Sequence, residues 1–155
     1  MRRIASVALL LTFAPAVASA QASAAHAAPP AVKWGPAPAV FPVGAQMAVM
    51  QGNPGSNGLF TVRLRFPNGY RVAPHTHPTD EHITVISGHL GVGMGKTVDA
   101  KQMMTLAAGD FASAPANAPH YAQARGATVV QIHAMGPFAL TYVNPADTPK
   151  AVAGR

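Results

Sequence analysis

Residues 59–66 read LFTVRLRF, with Phe60, Val62, Leu64 and Phe66 alternating against Thr61, Arg63 and Arg65. Only an extended strand puts every second side chain on one face, so this segment predicts a strand with one buried side. AQMAVMQG precedes it as a second candidate strand. HITVIS, HLGVGMG, QMMTLAAG, DFASAP, HYAQA, ATVVQIHAM and FALTYV follow, separated by Gly, Pro, Asn or Arg-Gly junctions. No segment carries a convincing helical period. Many short strands at this spacing predict an all-β chain, an antiparallel β-sandwich or barrel. The length of 155 residues suits one such domain rather than two.

The first twenty residues, MRRIASVALLLTFAPAVASA, combine two arginines, an apolar run and Ala18-Ser19-Ala20, the order of a secretory signal peptide. The apolar run is shorter than the roughly 20 residues of a spanning helix and contains Pro15. The expectation is a signal peptide at 1–20 cleaved after Ala20, a periplasmic or secreted protein, and no membrane attachment after cleavage. Residues 21–38, QASAAHAAPPAVKWGPAP, read as an Ala/Pro-rich linker or arm. Trp34, the only tryptophan, is expected to pin that arm to the barrel. The barrel domain is assigned to 39–148 and a C-terminal tail to 149–155. With no cysteine, stability must come from the core or a bound ion. The formal charge of +6 includes Arg2 and Arg3, and the remaining basic residues are scattered without aromatic interleaving. This excludes a nucleic-acid interface as the natural reading.

The stretch GYRVAPHTHPTDEHITVISG, residues 69–88, concentrates histidines and acids just before a β-branched run. In an extended segment His75 and His77 point to the same side. Glu81 lies past Pro78, where a loop can return its carboxylate toward them, and His120 in PANAPHYA could supply a fourth ligand. Three imidazoles and a carboxylate suit iron, manganese, nickel, copper, cobalt or zinc, and suit calcium or magnesium poorly.

The spacing Gly69-x5-His75-x-His77-x3-Glu81-x6-Gly88 resembles the first signature motif of the cupin superfamily. Gly109-x5-Pro115-x-Asn117-x2-His120 is similar to the second, with Asn117 in place of the family's usual glycine and Ala124 in place of its frequent asparagine. The resemblance implies a single cupin jelly-roll β-barrel, with His75, His77, Glu81 and His120 converging on a divalent transition metal. It also implies a small-molecule ligand or substrate and pairing as a homodimer through edge strands. The family spacing tolerates a variant that would use His82 as ligand. Glu81 is preferred because it alone keeps the six-residue gap to Gly88, leaving His82 and Asp80 one residue out of phase.

Tyr70 and Arg71 could reach the barrel mouth, against the alternative of a solvated strand edge. His133, on a late strand whose phase is open across the Arg125-Gly126 turn, could orient a ligand or move a proton. Tyr121 is expected to point away from the metal. Met47, Met50, Met94, Met103, Met104 and Met135 are too dispersed for a copper(I) store and read as core filling. Gly91, Gly93 and Gly95 lack the following helix of a phosphate loop. A four-ligand site on an octahedral ion leaves positions open for substrate. The resemblance implies a metal-dependent enzyme, since cupins with this ligand set include dioxygenases, oxalate-processing enzymes, lyases and isomerases; with an open redox-capable ion and no obvious acid-base pair beyond the ligands, the expectation is an oxidoreductase of dioxygenase type, acting on a small oxygenated chelator such as a diketone, phenol or hydroxy acid. The alternatives are a non-catalytic metal- or ligand-binding periplasmic sensor or carrier, and a stress protein whose ion only stabilises the fold.

Overall fold

The computed structural model describes residues 31–150. The expected leader, the first part of the linker and the last residues of the tail, 151–155, lie outside the described residues. Nine strands follow in chain order: β1 (Gly35–Pro36), β2 (Gln46–Gln51), β3 (Gly58–Phe66), β4 (Arg71–Thr76), β5 (Glu81–Met94), β6 (Met104–Ala107), β7 (Phe111–Ala114), β8 (His120–Gly136) and β9 (Thr141–Tyr142). A 3-10 turn, Pro145–Asp147, is capped by the Asn144 side chain, which accepts from the Ala146 amide. No helix among the described residues is long and apolar enough to cross a membrane.

Every pairing is antiparallel, and two long strands organise the rest. The second half of β8 pairs with β3, from Phe66 opposite Thr128 to Gly58 opposite Gly136, while its first residues pair with β4. Along its other edge β8 pairs with β5, from Met94 opposite His120 to Glu81 opposite Ala134. The far edge of β5 carries β7 beside its first residues and β6 beside its last. β1 and β2 extend the β3 side, and β9 extends the β4 side. The sheet curls over itself as an all-β jelly roll of two leaves that share β5 and β8.

The two long strands correct the sequence reading. HITVIS and HLGVGMG form one 14-residue strand, and HYAQA and ATVVQIHAM form one 17-residue strand through the Arg125-Gly126 step expected to turn. Glycine at positive φ, +76° at Gly88 and +81° at Gly126, lets each chain bend without leaving the sheet. The β5–β8 register slips between Val85 and Ser87 and again between Ser87 and His89. A one-residue slip exchanges faces. Glu81, Ile83 and Val85 are buried before it, and Leu90 and Val92 after it. FALTYV shrinks to the two residues of β9.

The alternation in β3 buries the expected side: Phe60, Val62, Leu64 and Phe66 join Val130, Ile132, Ile83 and Val85 in the core. Each such side chain contributes roughly 1.5–3 kcal/mol on burial. Arg63 and Arg65 lie on the exterior. Arg63 Nε donates to Gln131 Oε1 at 2.9 Å. Arg65 donates to Gln46 Oε1 at 3.1 Å and places its guanidinium 4.1 Å above the Trp34 ring. Trp34 thus ties the segment before β1 to the sheet through an arginine on β3.

At Gly88 a Cβ would run into the Ala127 carbonyl, whereas at Gly126 nothing stands within 4 Å. Both positions carry the left-handed conformation, which costs a non-glycine residue about 1–2 kcal/mol. Gly126→Ala should lose about that much stability and Gly88→Ala clearly more. Urea unfolding checks this; equal losses would mean that the close approach at Gly88 is not a constraint.

Candidate metal centre

His75 and His120 are cross-strand partners in the β4–β8 ladder, so their rings meet at a centroid distance of 4.3 Å. His77 follows two residues after His75, outside the strand end, with its ring 4.8 Å from that of His75 and 5.1 Å from that of His120. Glu81 opens β5 on the inward face with Ile83 and Val85. The neighbouring residues stitch the loops together. Asp80 Oδ1 accepts from the Ala116 amide at 2.7 Å, and the Asn117 amide donates to the His77 carbonyl at 2.8 Å. Asn117 has φ of +59°, the left-handed conformation that asparagine tolerates best after glycine. Its substitution for the usual glycine therefore keeps the turn.

His75, His77, Glu81 and His120 are all buried, and one donor atom from each lies within 4.8 Å of the others. Their hydrogen bonds fix which atom faces inward. Nδ1 of His75 donates to the Ala73 carbonyl at 2.7 Å, Nδ1 of His77 to the Ala139 carbonyl at 2.7 Å, and Nδ1 of His120 to the Ala118 carbonyl at 3.0 Å. A carbonyl can only accept, so each neutral ring carries its proton on Nδ1 and its lone pair on Nε2. His120 Nε2 stands 3.2 Å from Glu81 Oε2, and His77 Nε2 stands 3.6 Å from the same oxygen. The His77 Nε2 is buried without a hydrogen-bond partner. Lone pairs converging on a carboxylate repel one another unless a cation lies between them. An orphaned buried acceptor and a three-nitrogen, one-carboxylate donor set fit a first-row divalent ion. These residues could hold a metal ion.

The electrostatics fit the same reading. Burial, and then the charge of His120, push the His75 pKa down to about 3. Burial also lowers that of His77, against the pull of Glu81. At His120 burial opposes protonation, but the hydrogen bond to Glu81 and that to the Ala118 carbonyl outweigh it and raise the pKa. Burial would raise Glu81, yet His120 and His77 hold it below the usual carboxylate range. Two rings stay neutral, and Glu81 stays ionised.

The remaining sequence candidates lie outside this cluster. His82 bonds Ser113 Oγ through Nδ1 at 3.0 Å and stacks near Phe111 on the outer face. Tyr70 is buried against Phe66 with its hydroxyl donated to the Pro42 carbonyl, and Arg71 is exposed. Even positions of β8 face inward from His120 to Ala124 and again from Thr128 to Ala134, so His133 faces out, bonded to Thr61 Oγ1 and to the Gln131 side chain. Tyr121 points away from the cluster, accepting from the Asp99 amide. None of Tyr70, Arg71 and His133 lines the cavity onto which the four donors open, a hollow of about 360 Å³.

Two contributors escape the sequence reading. Phe138 stacks on the His77 ring at 4.2 Å, next to Ala139, whose carbonyl orients that ring. Residues 38–41 roof the cavity through Pro38, Val40 and Phe41, and the Tyr142 hydroxyl holds them by donating to the Val40 carbonyl at 2.9 Å. A following Pro137-Phe138 pair is the only local signal, and it does not point to a histidine so much earlier in the chain.

Residues 62–136 match the family model described as a cupin domain. The structure is similar to that of a candidate acetylacetone dioxygenase from Methylibium petroleiphilum, with 27% identity, 77% of this chain and 81% of the other covered, and a TM-score of 0.59. It is similar to a polyketide cyclase from Streptomyces resistomycificus, with 16% identity, 76% and 84% covered and a TM-score of 0.60, a likeness of fold alone. An uncharacterised conserved protein with a double-stranded β-helix domain from Klebsiella pneumoniae is similar at 25% identity, with 66% and 90% covered and a TM-score of 0.51. No curated protein matches the chain.

Glu81→Ala should weaken metal binding by more than the roughly 10–100-fold that changes outside the ligands cost. His82→Ala and Asp80→Ala should leave the ion bound in a chelator-competition titration; metal loss in His82→Ala with retention in Glu81→Ala would reverse the assignment. In metal-free protein, His75 and His77 have folded pKa values below the unfolded imidazole value of about 6.5. Their neutral burial favours the native state fully above that pH and less as pH falls, and Glu81, also depressed, loses its contribution through its own lower range. His120, raised, contributes fully below about 6.5 and loses its contribution as pH rises through its folded value. The melting temperature of chelator-treated protein should therefore drop from pH 6 to pH 4, and a flat profile would contradict the burial of neutral rings.

Proposed function

Because the chain belongs to the cupin superfamily, we propose that His75, His77, His120 and Glu81 hold a redox-capable divalent ion and that the protein is a metal-dependent oxidoreductase of dioxygenase type. Its substrate is a small oxygenated molecule that chelates the ion. The observation that carries the reading is the set of three Nδ1-to-carbonyl bonds, which leaves three Nε2 atoms and one carboxylate facing each other. The 27% identity to a candidate acetylacetone dioxygenase supports the reaction class.

The ion would supply a Lewis acid for substrate oxygens and the one-electron chemistry that dioxygen requires. The protein's own contribution is placement. The carbonyls of Ala73, Ala118 and Ala139 lock three imidazoles in one tautomer. Glu81 keeps a negative charge at the centre, and Phe138 fixes the plane of His77. The walls beside the donors are apolar, and water displaced from them by a ligand would leave every electrostatic contact inside stronger. No further titratable side chain lines the cavity among the described residues. That absence equally suits a non-catalytic carrier or sensor, and turnover separates the two readings.

We further propose export with cleavage after Ala20 and assembly as a homodimer. The decisive experiment uses protein purified from its host's own envelope fraction, with the mature N-terminus, oligomeric mass and bound metal determined together. Iron-, manganese- or copper-loaded protein should consume oxygen with at least one diketone, phenol or hydroxy acid. Zinc as the native ion, with no oxygen uptake across the panel, would sink the oxidoreductase reading.

A further inference from the structure

We propose that the cavity selects a singly charged, two-oxygen chelator with an apolar body, as in the enolate of a 1,3-dicarbonyl, and rejects molecules that carry a second charge. The inference rests on the metal-binding reading above and narrows it to a substrate class.

Apart from the four donors, the side chains lining the cavity are hydrocarbon or thioether. Val62, Leu64, Ile132 and Val130 form one wall, and Phe138 and Leu140 face them from the segment after β8. No lysine, arginine or hydroxyl side chain lines it among the described residues. The nearby arginines are engaged elsewhere, Arg63 with Gln131 and Arg65 with Gln46 and Trp34, on the outer face.

Charge balance follows from this lining. A divalent ion with ionised Glu81 would leave one positive charge beside apolar walls. One enolate oxygen neutralises it, and the second oxygen of the head binds as a neutral carbonyl. A dicarboxylate, or a dione bearing a carboxylate tail, would leave a buried negative charge with no cationic or hydrogen-bonding side chain to meet it. Such an orphan charge is disfavoured far more strongly than a missing methylene. Acidity is constrained as well. With no other titratable group on the wall to take a proton, the ligand must enter already as its anion, having given its proton to solvent, as the acidic carbon between two carbonyls allows. Size sets the last limit. The hollow of about 360 Å³ holds about a dozen non-hydrogen atoms, at the roughly 30 Å³ a water molecule occupies. A dione head with a butyl or phenyl tail fits; a sugar would fill the space with hydroxyls that find no partner.

The test is titration calorimetry on the full chain loaded with zinc, which does not consume the ligand, so the readout is independent of turnover. The probes are 1-phenylbutane-1,3-dione, 5,7-dioxooctanoate, which shares the dione head but ends in a carboxylate too remote to chelate with it, and oxalate. The phenyl dione should bind at least about tenfold tighter than either of the others, and only to metal-loaded protein. Equal or tighter binding of 5,7-dioxooctanoate or oxalate overturns the proposal, as does absence of metal-dependent dione binding. If the phenyl dione is preferred but the iron-loaded protein takes up no oxygen with it, the selectivity stands and the oxidoreductase reading falls. Oxygen uptake with only doubly charged substrates overturns the selectivity and leaves the oxidoreductase reading standing.

Discussion

Everything at the candidate metal centre depends on the curl of one antiparallel pair. Glu81 sits opposite Ala134 at one end of the β5–β8 ladder, and His120 sits opposite Met94 at the other. On a flat ladder the two would lie roughly 40 Å apart, at about 3.3 Å per residue. Instead their side chains meet at 3.2 Å. The bend at Gly88 and Gly126, with the register slips beside it, folds the ladder back until its two ends touch. Strand twist supplies the sense of the curl, and bulges supply its sharpness. A chain that paired the same residues without these irregularities would have the strands and lack the site.

The same curl explains why core and cavity share their residues. Phe60, Val62, Leu64, Phe66, Val130 and Ile132 belong to the apolar core and also line the hollow. A small curled sheet leaves room between its leaves for one small ligand. That room forgoes the dispersion contacts a solid interior would make. With no cysteine in the sequence, no disulfide offsets the loss. Four polar groups buried at one end of an otherwise apolar hollow make that end the one place where the interior can hold a charged ligand.

The strand content and the His75-x-His77 pair are legible in the sequence because both are local patterns, whereas Glu81 and His120 join that pair only through the resemblance to the cupin motifs. Period-two alternation gave β3 and its buried face, and the His75-x-His77 spacing put two imidazoles on one side. The phase argument also separated Glu81 from Asp80 and His82: one faces the cluster, the second caps the turn before His120, and the third bonds Ser113 outside. What stayed hidden depends on contacts between residues far apart in the chain. Gly88 and Gly126 read as breaks because glycine between strands usually is one, and only the neighbouring strands show that they bend a continuous ladder. The phase of His133 is open in the sequence for that reason, although even positions of β8 are buried on both sides of the exposed Gly126. The positions of Tyr70 and Arg71 were equally undetermined, since the first turns toward Phe66 and the loop carrying Pro42 while the second stays in solvent.

The three carbonyls that orient the imidazoles differ in how far they come along the chain. Ala73 and Ala118 each lie two residues before the histidine they hold, whereas Ala139 lies 62 residues from His77. Two of the rings are therefore oriented by their own local backbone, His75 within β4 and His120 from the turn before β8. The third has no acceptor until the chain beyond β8 has been made and packed back across the hollow. One ring of the centre is therefore aimed by a contact that spans 62 residues, and its orientation lasts only while the segment after β8 stays packed across the hollow.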